Sequence, residues 1–317
     1  MASYTPLTTK DINEILSFYG FPHCTSFIPM PHGISNSNYL VSTNQLADVL
    51  LKVSNDKNEK ELNEEMEILL YLNQCSFPLS LCPFIQKSPH SGPVYSYKNL
   101  NGVLFPKAKG TQAQVNSSSC FEMGKALSML HRIPLPASSN KKSLRPYAKI
   151  GHDLSDILAY SIEKKCPPDF HYCFESLTKQ ANWNDFKKFY QQIPSTIIHG
   201  DLYYDNVFFD QGKPSAFLDF EQAGIGNPLL DLGIAISGTC LKNGELDHEY
   251  IQSYFSGYKS TQILDPKCDE FLFTAIQLGL LSISLWRIER FLEGSLSLDR
   301  KFSYQELLKL KIPTKVI

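Results

Sequence analysis

"IHGDLYYDNVFFDQGKPSAFLDFE", residues 198–221, is the stretch on which the reading of this chain turns. Between the apolar runs STII and VFF it crowds His199, Asp201, Asp205 and Asn206 into eight positions. Buried polar groups are costly unless paired. A segment this polar between hydrophobic strands is therefore a solvated loop or a site that needs those groups. The skeleton is H-x-D-L-x-x-x-N, and Asp219 in LDF follows Asn206 by thirteen residues. VFFD and SAFLDF read as two short strands around a Gly-Lys-Pro turn. A hairpin brings its two ends together, so Asn206 and Asp219 are expected at one edge. One amide oxygen and one carboxylate, with room for phosphate oxygens, suit Mg2+. Asp201 would face the same point and accept a hydroxyl proton. Asp205 falls outside the skeleton. Residues 199–231 carry six acidic side chains and one lysine, an excess that suits magnesium.

The pattern is the catalytic-loop signature of kinases, with D-F in place of the start of D-F-G. The other parts of such a site are expected upstream. Lys52, in the strand DVLLKV (48–53), would hold the α/β-phosphates of ATP. The helix that follows offers Glu61 and Glu65 on one face; one should pair with Lys52, and Glu65 is preferred. HGISNSNYLV (32–41) offers Gly33, Ser35 and Asn36 in a small polar turn whose N–H groups could meet phosphate. VLFPKAKG (103–110) reads as an inter-lobe hinge. Pro106 lacks a donor there, so the backbone of Phe105, Lys107 or Ala108 would meet adenine.

The fold class expected is α+β, with a boundary after residue 105. Residues 1–105 read as a small β-rich nucleotide-binding lobe. Residues 106–317 read as a larger, mainly helical lobe for catalysis and substrate binding. A helix over 8–19 has Thr9 as its expected N-cap. Strands flank STNQ within 38–53 and NLNG within 95–105, with a helix over 57–74 between them. Helices are expected at 120–133, 154–165 and 171–192, then a β segment over 196–222 and helices to the end. The apolar stretch 271–286 reads as a buried helix rather than a membrane span. Net charge is −2, which gives no electrostatic footprint for nucleic acid or an anionic membrane. No secretory signal is visible at the start. Eight cysteines without C-x-x-C or zinc spacing read as free thiols in the cytoplasm. The sequence carries no signal for an oligomeric state.

With these residues in hand, the chain resembles the aminoglycoside phosphotransferase/choline kinase family, through IIHGDLYYDNVFF, AFLDFEQAGIGNPLLDLG and MGKALSMLH. The likeness covers roughly residues 5–300 and implies a bilobal protein-kinase-like fold. It implies Asp201 as catalytic base, Asn206 and Asp219 on magnesium, and Lys52 on ATP phosphates. It also implies that His199 braces the loop and that Asp231, in LLDLG, locks it from behind. His131, in LSMLH, is expected as a structural helix-end residue. Within the family the length, the opening YTPLTTKDINEILSFYG and GISNSNYLV look most like type II homoserine kinases. Gly200 and Glu221 depart from that type toward choline and aminoglycoside kinases. The acceptor would be a small molecule bearing a hydroxyl, with Glu221, Tyr203, Trp286, Arg287 and Arg290 as candidate contacts. An Arg fork matches a carboxylate; Trp and Tyr faces match a quaternary amine. From residue 111 onward there are 22 basic and 23 acidic residues, which ranks a polycationic aminoglycoside lower. Homoserine is the preferred acceptor, with choline, ethanolamine, thiamine and aminoglycosides as alternatives. Only twelve residues separate Asp219 from Asp231, which leaves no long activation loop for phosphorylation-gated control; a protein Ser/Thr kinase of the same fold, which would need an open groove, is the further alternative. A regulator that binds nucleotide without turnover is disfavoured, because no catalytic position is degraded.

Overall fold

The computed structural model describes residues 4–30, 36–44, 47–87, 91–112, 114–137, 144–163, 166–294 and 300–312. Two of the residues expected in the phosphate turn, Gly33 and Ser35, lie outside them. The chain divides into two compact units, Met1–Lys109 and Gly110–Ile317.

The first unit opens with α1 (Thr9–Phe18). Its cap is Thr8, one residue before the expected Thr9. The Thr8 hydroxyl oxygen accepts the Asp11 N–H at 3.2 Å, and the Asp11 carboxylate accepts the Thr8 N–H at 2.9 Å. This reciprocal box satisfies two donors that a helix start leaves open. Next come β1 (Cys24–Met30), β2 (Asn36–Thr43), β3 (Val49–Ser54), α2 (Glu59–Gln74), β4 (Val94–Tyr97) and β5 (Leu100–Pro106). The strands form an antiparallel sheet in the order β1-β2-β3-β5-β4. β1 was not legible in the sequence: Pro29 breaks its donor row and its side chains do not alternate in burial. The β4–β5 turn falls at Lys98–Asn99, ahead of most of the expected NLNG. Ile12, Ile15 and Leu16 of α1 pack with Tyr39, Val41, Leu51 and Val53 of the sheet as one apolar core.

The second unit runs β6 (Thr111–Gln112), α3 (Ser117–His131), α4 (Leu154–Ile162), α5 (Pro168–Thr178) and α6 (Trp183–Gln192). The single helix expected over 171–192 is thus two, broken at 179–182. The β segment follows as β7 (Thr196–Ile198), β8 (Val207–Asp210), β9 (Lys213–Phe217) and β10 (Gly224–Gly226). After it come α7 (Pro228–Thr239), β11 (Leu241–Lys242), β12 (Glu245–Leu246), α8 (His248–Lys259), α9 (Lys267–Arg287) and α10 (Tyr304–Leu308). The β8–β9 turn is Gln211–Gly212, both at positive φ (50° and 78°). Such a turn matches strand twist. It displaces the expected Gly-Lys-Pro turn, because Lys213 and Pro214 pair with Asp210 and Phe209 inside the strands. α9 continues into a π-helical turn, Ile288–Glu293. At 27 residues this element is long and apolar enough to cross a membrane, but 78% of its apolar window is buried inside the protein. It is a core helix. Gly233 of α7 and Gly279 of α9 let the two helices meet backbone to backbone, which seats α7 and its Asp231 in the core.

Candidate active site

The β8–β9 hairpin does what its spacing requires. Val207 pairs with Phe217, and the Leu218 N–H donates to the Asn206 carbonyl at 2.8 Å, so Asn206 and Asp219 come to the same edge. The Asn206 amide nitrogen donates to the Asp201 carbonyl at 2.8 Å. That fixes its side-chain oxygen as the free acceptor. Asp201 is half-buried. Removal from water, reinforced by the charges of Asp219, Glu221 and Asp205, raises its carboxyl well above the usual carboxylate range, while Arg287 opposes the shift. A raised pKa makes a carboxylate a better proton acceptor.

Behind this loop lies a buried polar hub. Asp231, fully buried on α7, accepts the His199 N–H and the Gly200 N–H at 2.8 Å each. His131 places Nε2 2.9 Å from the same carboxylate and Nδ1 2.6 Å from the Tyr258 hydroxyl. Burial pushes the Asp231 carboxyl up, but the His131 hydrogen bond and the neighbouring charges bring it net below its ordinary value. His199 is buried, and desolvation lowers its pKa to about 4, so the ring is neutral at pH 7. Its Nε2–H donates to the Leu218 carbonyl at 2.9 Å, and its Nδ1 accepts the Asp201 N–H at 3.3 Å. The His199 ring also packs on Phe220, centroids 4.6 Å apart. One imidazole therefore spans both the loop of Asp201 and the strand end of Asp219. Gly200 sits at φ +78°, and a Cβ there would lie 2.6 Å from the Tyr147 ring and 2.9 Å from the Gln222 carbonyl oxygen. Only glycine suits both the angle and the space.

Asp219 takes the left-handed conformation, φ 57° and ψ 61°, which few residues other than glycine adopt without strain. The turn after it is pinned by Arg145, a buried residue near the end of the polar stretch 136–146. Its guanidinium donates to the carbonyls of Glu221 (2.8 Å), Ala223 (2.9 Å) and Phe220 (3.2 Å). Neither Arg145 nor Tyr147 belongs to a motif; only their burial next to the site marks them. With its amide oriented to satisfy both neighbours, Gln222 donates to the Ile150 carbonyl at 2.9 Å and accepts from Trp286 Nε1 at 3.0 Å. Trp286 and Arg290 share one face of the α9 end, the guanidinium 5.1 Å over the ring. They line a cavity of about 450 Å³ with Ile150, His152, Asp156 and Glu289. Arg287 points another way, to the Ser303 carbonyl at 2.9 Å. Tyr203 lies against Gly238 of α7, its hydroxyl buried.

In the first unit Lys52 lies on β3 and Glu65 on α2, with Nζ 3.2 Å from Oε1. Lys57 takes the other oxygen at 2.8 Å. Glu65 is fully buried, whereas Glu61 serves the N-terminal cap of α2. Of the two candidates it is Glu65 that meets Lys52. Asn36 is buried at the start of β2, paired with Ser54. Lys107 turns onto Asp48 through its ammonium (3.0 Å) and its N–H (3.4 Å), and Ala108 follows beyond the end of β5.

The family model described as "Phosphotransferase enzyme family" (APH) matches residues 26–264. The chain belongs to the APH family. Among curated relatives, this APH chain is 24% identical over 304 residues to the homoserine kinase of Gluconobacter oxydans, covering 91% of this chain and 90% of that one. It is 25% identical over 289 residues to the homoserine kinase of Neisseria meningitidis serogroup B, covering 91% of each. Among solved structures it is similar to the amicoumacin kinase hAmiN in complex with AMP-PNP, Ca2+ and Ami. The TM-score is 0.69 at 14% identity, covering 96% of this chain and 92% of that one. The fold is accordingly the protein-kinase-like fold of the APH and choline kinases, and the protein is an ATP-dependent phosphotransferase, a small-molecule kinase.

Proposed function

We propose that this APH enzyme transfers the γ-phosphate of ATP to the side-chain hydroxyl of a small amino acid, with homoserine as the acceptor. The observation that carries the reading is the convergence of Asp201, Asn206 and Asp219 at one end of the β8–β9 hairpin. In the first unit Lys52, oriented by Glu65, binds the α- and β-phosphates. In the second unit Asp201 orients the acceptor hydroxyl and takes its proton as the new O–P bond forms. Asn206 and Asp219 fit a magnesium ion: both offer hard oxygens, and the Asn206 nitrogen is already committed to a carbonyl. Among the described residues no three His, Cys, Asp or Glu side chains form a metal cage. Two protein ligands completed by phosphate oxygens and water are the usual habit of magnesium. When bound, magnesium would neutralise charge on the transferring phosphate. His199 and Asp231 hold the loop rigid throughout. Homoserine is supported by the curated relatives, which match over nearly their whole length.

A second reading, an amino-alcohol acceptor such as choline or ethanolamine, is favoured by the Trp286 face on the cavity and by Glu221 after Asp219. An ADP-release screen over homoserine, choline, ethanolamine, thiamine, sugars and aminoglycosides tests both. Strongest stimulation by homoserine is expected. Strongest stimulation by an amino alcohol would transfer the assignment to the second reading. Silence with every hydroxyl compound would contradict both.

A further inference from the structure

Two contacts join three residues on the acceptor side of the second unit. Gly200 abuts the Gln222 carbonyl so closely that a Cβ there would lie 2.9 Å from it. The Gln222 side chain accepts the indole N–H of Trp286 at 3.0 Å. Asp201 follows Gly200 in the chain, Glu221 precedes Gln222, and Arg287 follows Trp286. The contacting trio thus gathers its chain neighbours: the base, a carboxylate and a guanidinium. The charge of Arg287 is felt at both Asp201 and Tyr203, which agrees with that placement.

Arg287 is also built to stay where it is. It closes α9 where the helix widens into the π turn, an irregularity that often marks a functional position. Its side chain is only 23% exposed. Nη1 is anchored on the Ser303 carbonyl at 2.9 Å, with Glu306 at a looser 3.9 Å. Nε and Nη2 hydrogen-bond to no described residue. A guanidinium held by one nitrogen keeps a planar pair of donors for a bidentate acceptor, and a carboxylate is the group that matches them. The carboxylates around Asp201 make an isolated anion unwelcome there. An anion on an amino acid carries its own ammonium, which those carboxylates suit.

We infer that Arg287 is the specificity residue that binds the α-carboxylate of the acceptor while the acceptor's side-chain hydroxyl meets Asp201. The inference rests on the amino-acid kinase reading above and assigns the contact that separates amino acids from amino alcohols. Trp286 and Arg290 belong to the neighbouring cavity wall and do not read the carboxylate.

The test compares homoserine with 3-amino-1-propanol, which keeps the hydroxyl and amine and lacks the carboxylate. The readout is the ratio of kcat/KM for the two acceptors in wild type, Arg287→Gln and Arg287→Lys. Gln retains an N–H for the Ser303 carbonyl, and Lys retains the charge without the fork. Wild type should favour homoserine. Arg287→Gln should lower the ratio by ~10- to 100-fold, the range for losing a charged hydrogen-bond partner, and Arg287→Lys should lie between. Loss of packing alone would depress both acceptors together and leave the ratio standing. An undiminished ratio in Arg287→Gln overturns the inference and leaves the kinase reading intact. If Arg287→Gln does not fold, an undiminished ratio in Arg287→Lys has the same force. A wild type that does not turn over homoserine at all overturns the homoserine reading, and the inference with it.

Discussion

Two buried carboxylates organise the two units, and they do so in different ways. Asp231 in the second unit is ringed by two backbone N–H groups and an imidazole. Glu65 in the first unit lies between two ammonium groups, Lys52 and Lys57. Both side chains are essentially excluded from water. Asp231 fixes backbone and is satisfied whether or not a ligand is present. Glu65 fixes charge, and on the proposed function the lysine it holds would meet phosphate. Removing the first should therefore be read mainly in stability, and removing the second mainly in nucleotide affinity.

The largest effect is expected from Asp231→Ala. It strips two buried N–H groups and His131 of their acceptor, a loss of about 3–5 kcal/mol for a buried network of this kind. Urea unfolding should show it with and without ATP, and phosphoryl transfer should fall with the disordered loop. A variant with wild-type stability would remove Asp231 as the organiser. Glu65→Gln should cost less stability, about 1–3 kcal/mol, because glutamine keeps an acceptor oxygen for one of the two lysines. Its signature is a nucleotide KM raised ~10-fold and a reduced thermal shift on adding ATP. Equal losses of stability in the two variants, with no change in ATP affinity for Glu65→Gln, would collapse the contrast.

The same contrast governs what could be read without a structure. The loop from His199 to Asp219 is legible because its chemistry is contiguous: a hairpin of known spacing must bring Asn206 and Asp219 together. Lys52 is legible only once the downstream loop calls for it, since a lysine ending an apolar strand is alone a weak signal, and Glu65 because helical spacing limits the candidates. Asp231 entered only through family resemblance. Its partners could not be found from pattern, since His131 lies 100 residues away in the chain. Arg145 is separated from its carbonyls by 75 to 78 residues and stands near the end of a polar stretch, 136–146, that reads as loop. β1 was missed because an edge strand with a proline and little burial lacks the alternation that marks a strand. The hairpin turn was misplaced toward Pro214, which an edge strand tolerates. The acceptor side was legible only as a set of candidates. Trp286, Arg287 and Arg290 are neighbours in sequence, and the helix sends Arg287 to a different face from the other two.

The central claim is that Asp201 acts on the acceptor's proton and not on the nucleotide. Single-turnover transfer from saturating Mg·ATP to the best acceptor, measured in Asp201→Ala beside calorimetric Mg·ATP binding, tests it most directly. The account predicts binding within a few-fold of wild type and transfer slowed by at least ~10²-fold, the scale of a lost general base. Transfer at the wild-type rate would contradict it.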